Sequence, residues 1–118
     1  MEYERSHAIA YLHKRMPYTY FSYLRILEEV RTRMPKFSPF SLLDYGAGLG
    51  SGAWAGIDVF SSLKKVAAVE PSTEMRRVGK FMTKNLEPEI LWVDSLSLIP
   101  GGGGERGKFD VVVLGHVL

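Results

Sequence analysis

Three glycines recur at alternate positions in Asp44-Tyr45-Gly46-Ala47-Gly48-Leu49-Gly50, directly after a short apolar run. Glycine permits the tight or left-handed backbone that turns a strand into a helix, and without a Cβ it lets a ligand approach the main chain. In an open α/β sheet that ligand lies beyond the carboxyl ends of the strands, beside the first helix. A lone Gly-x-Gly is weak, so the neighbours must decide. Asp44 precedes the first glycine, where a negative side chain repels a pyrophosphate and suits a cationic, amine-bearing ligand; the same carboxylate also suits a cap on the glycine turn. Glu70 closes a second apolar run and is placed to accept both ribose hydroxyls of an adenosine. Asp94 closes a third, where it can accept from the exocyclic amine of adenine. Asp44, Gly46, Gly48, Gly50, Glu70 and Asp94 are therefore one candidate binding constellation.

A dinucleotide fingerprint, Gly-x-Gly-x-x-Gly, is the competing pattern. Counted from Gly46 its third position is Ser51; counted from Gly48 it is Ala53, a tolerated variant. A nicotinamide-type oxidoreductase thus stays an alternative on spacing alone. The chain has no cysteine, so thiolate catalysis, disulfides and thiolate metal sites are excluded within it. No metal site is expected and no catalytic residue is assigned; His116, just past the last apolar run, has no partner visible in sequence.

The elements that must position these residues follow from period and punctuation. Pro17 suits a first helical turn. Tyr20, Tyr23, Leu24, Leu27, Val30 and Met34 recur at three- and four-residue steps, and Pro35 and Pro39 end that helix. From Phe40 the period changes. Ser41–Tyr45, Lys65–Glu70, Glu89–Val93 and Phe109–Leu114 read as strands, continuous in apolar residues as parallel strands covered on both faces are. Ala53–Leu63 reads as a helix with Trp54, Ile57 and Val59 or Phe60 turned inward. A further helix runs to Lys84 with Ser72 as its N-cap and Met75, Val78 and Met82 as its core face. Gly101–Gly104 reads as a flexible loop. The alternation predicts an α/β, Rossmann-like fold: an N-terminal helical region over 1–39, then a parallel sheet of order 3-2-1-4 over 40–118. A sheet of this kind is expected to continue past the fourth strand, so the chain is expected to be a fragment of a longer one or to be completed by a partner.

The 118 residues suffice for one domain, and 46% apolar with 24% charged is ordinary for a globular chain. No apolar run approaches the roughly 18 residues of a membrane span. Net charge is +2, but residues 1–40 hold seven Lys and Arg against four Asp and Glu. Arg76, Lys80 and Lys84 share one helix face. Both features suit a polyanionic partner, although a solvated face is the simpler account of each.

The quoted motifs, taken as a set, resemble the S-adenosylmethionine-dependent methyltransferase superfamily. Leu42–Gly50 looks like its first motif, Val69-Glu70-Pro71-Ser72 its second, Val93-Asp94-Ser95-Leu96 its third, and Phe109–Leu118 the strand of its fourth. The flanks narrow the likeness. Arg15-Met16-Pro17-Tyr18, Arg33-Met34-Pro35-Lys36-Phe37-Ser38-Pro39 and Gly52-Ala53-Trp54-Ala55 resemble the methyltransferase-like family of the mitochondrial small ribosomal subunit. That resemblance implies S-adenosylmethionine as cofactor and a mitochondrial location. It implies the small subunit, rRNA and ribosomal proteins, as partner, and a role in assembly of the subunit or as one of its components. It leaves an active RNA methyltransferase as the alternative. The family's cysteine-rich region has no counterpart here, and nothing of it is carried over.

Overall fold

A computed structural model of the chain describes residues 16–100 and 108–115; Arg15, the loop Gly101–Gly104 and His116 lie outside them. The element order is α1 (Met16–Arg33), β1 (Ser41–Tyr45), α2 (Ser51–Val59), β2 (Lys65–Val69), α3 (Thr73–Met82), β3 (Ile90–Val93), a 3-10 turn (Leu96–Leu98) and β4 (Val111–Leu114). All strand pairs are parallel, and the sheet runs β3-β2-β1-β4 as the alternation predicts.

Strand period sorts the side chains. Leu42, Val66, Ala68, Ile90 and Val113 point to one face and make the main core with Leu27 of α1 and Ala53, Ala55 and Val59 of α2. α1 packs on α2 through Tyr20, whose hydroxyl donates a short hydrogen bond to Asp58, and Arg31 Nη1 donates to the Val59 carbonyl at 3.0 Å. Of the helical stripe read in α1, Tyr20, Tyr23, Leu24, Leu27 and Val30 pack inward, whereas Met34 falls past the last turn and is exposed.

The opposite face differs from expectation. Among the described residues, Leu43, Ala67, Val69 and Val93 there form a small cluster with Ile99 and Phe109, which flank the loop between β3 and β4. Tyr45, Leu91, Val112 and Leu114 are exposed, the last at 65%. Continuous apolar strands predict two covered faces, but the described helices all lie on one.

Element ends shift for local reasons. α2 stops at Val59 because Phe60 turns extended into the core, its ring edge-on to Phe37 at 5.8 Å. α3 is capped by Ser72, whose Oγ accepts from the Met75 amide at 3.2 Å. It ends before Lys84 because Thr83 Oγ1 donates back to the Gly79 carbonyl at 2.8 Å. β4 starts late because Asp110 is used as a clamp. Its Oδ2 accepts from the Phe40 amide at 2.7 Å, and its own amide donates to Ser41 Oγ at 3.0 Å.

Trp92 of β3 wedges between the glycine loop and α3. A Cβ on Gly79 would lie 2.4 Å from its Cη2 and 3.1 Å from the Leu49 carbonyl oxygen. Ring and backbone are both rigid, so neither yields easily. Gly79→Ala is therefore expected to destabilise the full-length protein by about 1–3 kcal/mol, despite the roughly 1 kcal/mol of helix propensity that alanine adds. Urea unfolding checks it; an unchanged or raised midpoint would show that Trp92 gives way.

A candidate adenosyl-ligand site at the carboxyl ends of the strands

β1 leaves the sheet at Tyr45 and enters α2 through five residues whose glycines carry the positive φ values. These are 75° at Gly46, 58° at Gly48 and 90° at Gly50. The amides of Gly46 and Ala47 both donate to the Val69 carbonyl at 2.9 Å, so the loop starts from the end of β2. Gly50 serves a packing need as well. A Cβ there would lie 2.9 Å from Trp92 Cζ2, so the glycine admits the tryptophan beneath the loop.

Asp44 lies on the helix-bearing face at the end of β1 and is 1% exposed. Its Oδ2 accepts from the Ala53 amide at 2.9 Å. The approach needs Gly52, where a Cβ would lie 2.9 Å from the same oxygen. The N-cap residue of α2 is Gly50, which offers no side chain. The strand below supplies the cap instead, and the carboxylate sits against the positive end of the helix dipole.

Glu70 holds the other side. Its Oε1 accepts from the Gly48 amide at 2.8 Å and its Oε2 from the Ser72 amide at 2.9 Å. One carboxylate thus ties the glycine loop to the β2–α3 turn, with lone pairs left over for further donors. Asp94 stands exposed at the end of β3. Asp44, Glu70 and Asp94 therefore occupy the carboxyl ends of three adjacent strands, and the glycines lie between the first two.

The basic stripe read from sequence does not hold together. Arg76 Nη1 donates to the carbonyls of Glu70 at 2.6 Å and Pro71 at 2.9 Å. Its guanidinium clamps the turn that carries Glu70 and does not face outward with Lys80. Lys84 Nζ lies 4.3 Å from the centroid of the Phe81 ring. It also lines a groove with Lys64, Glu87 and Glu89 at the opposite, amino-terminal ends of the strands.

Two features of the site were not read from sequence. Glu74, in the first turn of α3, is 2% exposed; one oxygen pairs with Arg77 Nη1 at 2.9 Å, and Oε2 has no partner. Tyr23 of α1, whose helical spacing favours core packing over a role with Tyr18, Tyr20 and Phe21 as a stacking platform for RNA bases, reaches the strand ends. A Cβ on Gly115 would lie 2.6 Å from its hydroxyl and 2.9 Å from the Gly46 carbonyl oxygen. The glycine directly after Val111–Leu114 is the one sequence signal of that close approach. Among the described residues no group of His, Cys, Asp and Glu is arranged to hold a metal ion. No helix among them is long and apolar enough to cross a membrane.

A family model described as the mitochondrial small ribosomal subunit protein Rsm22 matches residues 5–118. The chain belongs to the Rsm22 family. The human mitochondrial ribosome assembly protein METTL17 is 29% identical over 118 residues, covering 96% of this chain. The alignment takes in 25% of the human protein, so this Rsm22-family chain spans about a quarter of that relative's length. Among solved structures, the plantazolicin methyltransferase BpumL, in complex with S-adenosylhomocysteine, superposes with a TM-score of 0.63. It covers 93% of this chain and 40% of that one at 17% identity. DesVI of Streptomyces venezuelae gives 0.56 at 23% identity, covering 91% of this chain and 40% of its own. At such identities the likeness shows the fold, which is that of S-adenosylmethionine-dependent methyltransferases.

Burial raises the Asp44 carboxyl from its ordinary 3.8 to about 7; the Ala53 amide opposes the rise, the charge of Glu70 adds to it and the Gly52 amide opposes it. Between those two values the folded protein holds a proton that the unfolded chain has released. The stability this proton contributes is present in full below about pH 4 and is lost as pH climbs toward 7. The melting temperature of the unliganded full-length protein is expected to fall across that window. In Asp44→Asn the fall should flatten. A scan with equal slopes for both proteins would show that Asp44 does not titrate there.

Proposed function

We propose that this chain carries the N-terminal half of the S-adenosylmethionine-binding domain of a methyltransferase-like protein that acts, in mitochondria, in assembly of the small ribosomal subunit or as a component of it. The hold of Glu70 on both the glycine loop and the β2–α3 turn carries the ligand part of this reading. A carboxylate so placed is fixed at the strand end by two backbone amides, and each oxygen keeps a lone pair with which it would accept from a ribose diol. Membership of the Rsm22 family supports the ribosomal part, as does the excess of basic residues ahead of Phe40.

The donor set fits S-adenosylmethionine better than a dinucleotide. The ligand is cationic at its sulfonium and ammonium, and Glu70 and Asp94 make the crevice acidic, with Asp44 able to add its charge once it loses its proton. A pyrophosphate needs free amides at a helix N-terminus. In α2 the Ala53 amide is already taken by Asp44. Glu70 would receive the ribose hydroxyls and Asp94 the adenine amine. Gly46 and Gly48 would let the chain pass close to the methionine portion, with the buried charge of Asp44 beneath. When bound, the cofactor supplies a methyl group already activated on sulfur. This half of the protein has then to hold and orient it, and to keep the loop from collapsing before it arrives.

Two outcomes test the reading on the full-length protein. Glu70→Ala should weaken S-adenosylmethionine binding by about 1.5–3 kcal/mol in titration calorimetry, the cost of losing hydrogen bonds to a charged acceptor. Affinity unchanged in the variant would remove Glu70 from the site. The protein should also co-sediment with mitochondrial small subunits and lose that association steeply as salt rises from about 50 to 200 mM. Lys80→Glu, on the exposed side of α3, should lower association while leaving the cofactor affinity as it was. A protein that never enters the subunit fraction would overturn the ribosomal part and leave the ligand site standing.

A further inference from the structure

α3 turns an aromatic ring outward among cations. Arg77, Lys80 and Phe81 lie within about 100° of one another around the helix, and Phe81 is 65% exposed. Lys84, just past the last turn, folds back so that its Nζ stands 4.3 Å from the centroid of the Phe81 ring. We infer that this face is a docking site for a single-stranded stretch of RNA, with a base stacked on Phe81 and phosphates held by Arg77, Lys80 and Lys84. The inference rests on the ribosomal reading above, which makes the polyanion an RNA.

The face carries no opposing charge. The one acid of α3 is Glu74, whose side chain is 3% exposed and pairs with Arg77 Nη1 at 2.9 Å. That buried carboxylate gives the arginine a fixed footing in the helix, while the arginine side chain itself stays 55% exposed. One nitrogen of the guanidinium is engaged. The rest of the planar fork keeps donors in the geometry that suits a phosphate. Arg76 is excluded from the face, since the Glu70 and Pro71 carbonyls hold it.

Cations alone would take any polyanion, and the ring narrows the choice. A phenyl group gains little from a carboxylate or a phosphate, whereas every base offers it a π-face. In a duplex both faces of a base are covered by its neighbours, so only an unpaired nucleotide can be met this way. The Lys84 ammonium covers the ring in the free protein, but an exposed cation–π contact is weak. A base can displace it and keep the charge close by for its phosphate. The face is also separate from the adenosyl site. Gly79, on the inner side of α3, is the residue that approaches the glycine loop, and Lys84 lines the groove at the amino-terminal ends of the strands.

Fluorescence anisotropy on the full-length protein tests this with a labelled uridine dodecamer, an abasic strand of the same length, and the dodecamer annealed to its complement. Phe81→Ala should weaken the dodecamer about tenfold and leave the abasic strand within about twofold, with the melting temperature unchanged. Phe81→Leu should lose as much, and Phe81→Trp should bind at least as well as the wild type. Lys80→Gln should lower the slope of log affinity against log salt by about 0.7, while Phe81→Ala leaves that slope as it was. Equal losses on the dodecamer and the abasic strand, or no loss on either, would overturn the inference. So would a wild-type protein that prefers the duplex. Poly-glutamate bound as tightly as the dodecamer, with the same dependence on Phe81, would overturn it in favour of an acidic protein partner. A protein that shows the expected pattern but never enters the small-subunit fraction upholds the RNA site and overturns the ribosomal reading. One that co-sediments with small subunits yet binds the dodecamer without regard to Phe81 overturns the site and leaves that reading standing.

Discussion

A buried carboxylate beneath a helix N-terminus organises this α/β unit. Asp44 is nearly inaccessible, and burial drives its carboxyl toward the neutral form against the opposing pull of the Ala53 amide and the α2 dipole that face it. The hydrogen bond demands that residue 52 be glycine, since any Cβ would strike the oxygen. It also aligns α2 over β1, and α2 in turn carries α1. The glycine loop is the short connection left between these two fixed ends. Its second anchor, Glu70, lies on the next strand, so two acids define the loop from opposite sides. Neither is there chiefly to be seen by solvent; each first satisfies backbone amides that a helix start or a tight turn would otherwise leave unpaired.

The strand order and the loop were legible because each has a strong local cause. Alternating glycines and continuous Val/Ala/Leu runs leave few other options, and Ser72 ahead of an amphipathic stretch is a sound cap signal. The six candidate residues all fall at the carboxyl ends of β1, β2 and β3 or in the loop between β1 and α2. What sequence did not disclose depends on contacts between segments far apart in the chain. Arg76 reads as one member of a basic stripe, yet its guanidinium is used by the carbonyls of Glu70 and Pro71. Gly50 reads as a ligand-facing glycine, although a tryptophan 42 positions later packs against it. Tyr23 reads as one aromatic among several, and only the fold brings it to Gly115. Helical period reports which side of a helix is apolar and says nothing of what stands opposite.

The sheet is covered unequally among the described residues. α1, α2 and α3 lie over Leu42, Val66, Ala68 and Val113, while Tyr45, Val112 and Leu114 on the other side remain open. The asymmetry keeps the site rigid where it matters. The loop, both acids and Tyr23 all hang from the covered layer, in which α1 and α2 are pinned to each other and α2 to β1.

The same packing gives the chain an optical property. Its two tryptophans both flank the glycine loop: Trp92 lies beneath Gly50 with its indole nitrogen 3.4 Å from Thr83 Oγ1, and Trp54 is in α2 with its ring 6.3 Å from that of Tyr20. Indole emission responds to the polarity and mobility of its surroundings. Any event that loosens or tightens the loop must therefore alter the intrinsic fluorescence of this segment, so the site carries its own reporter and needs no attached dye.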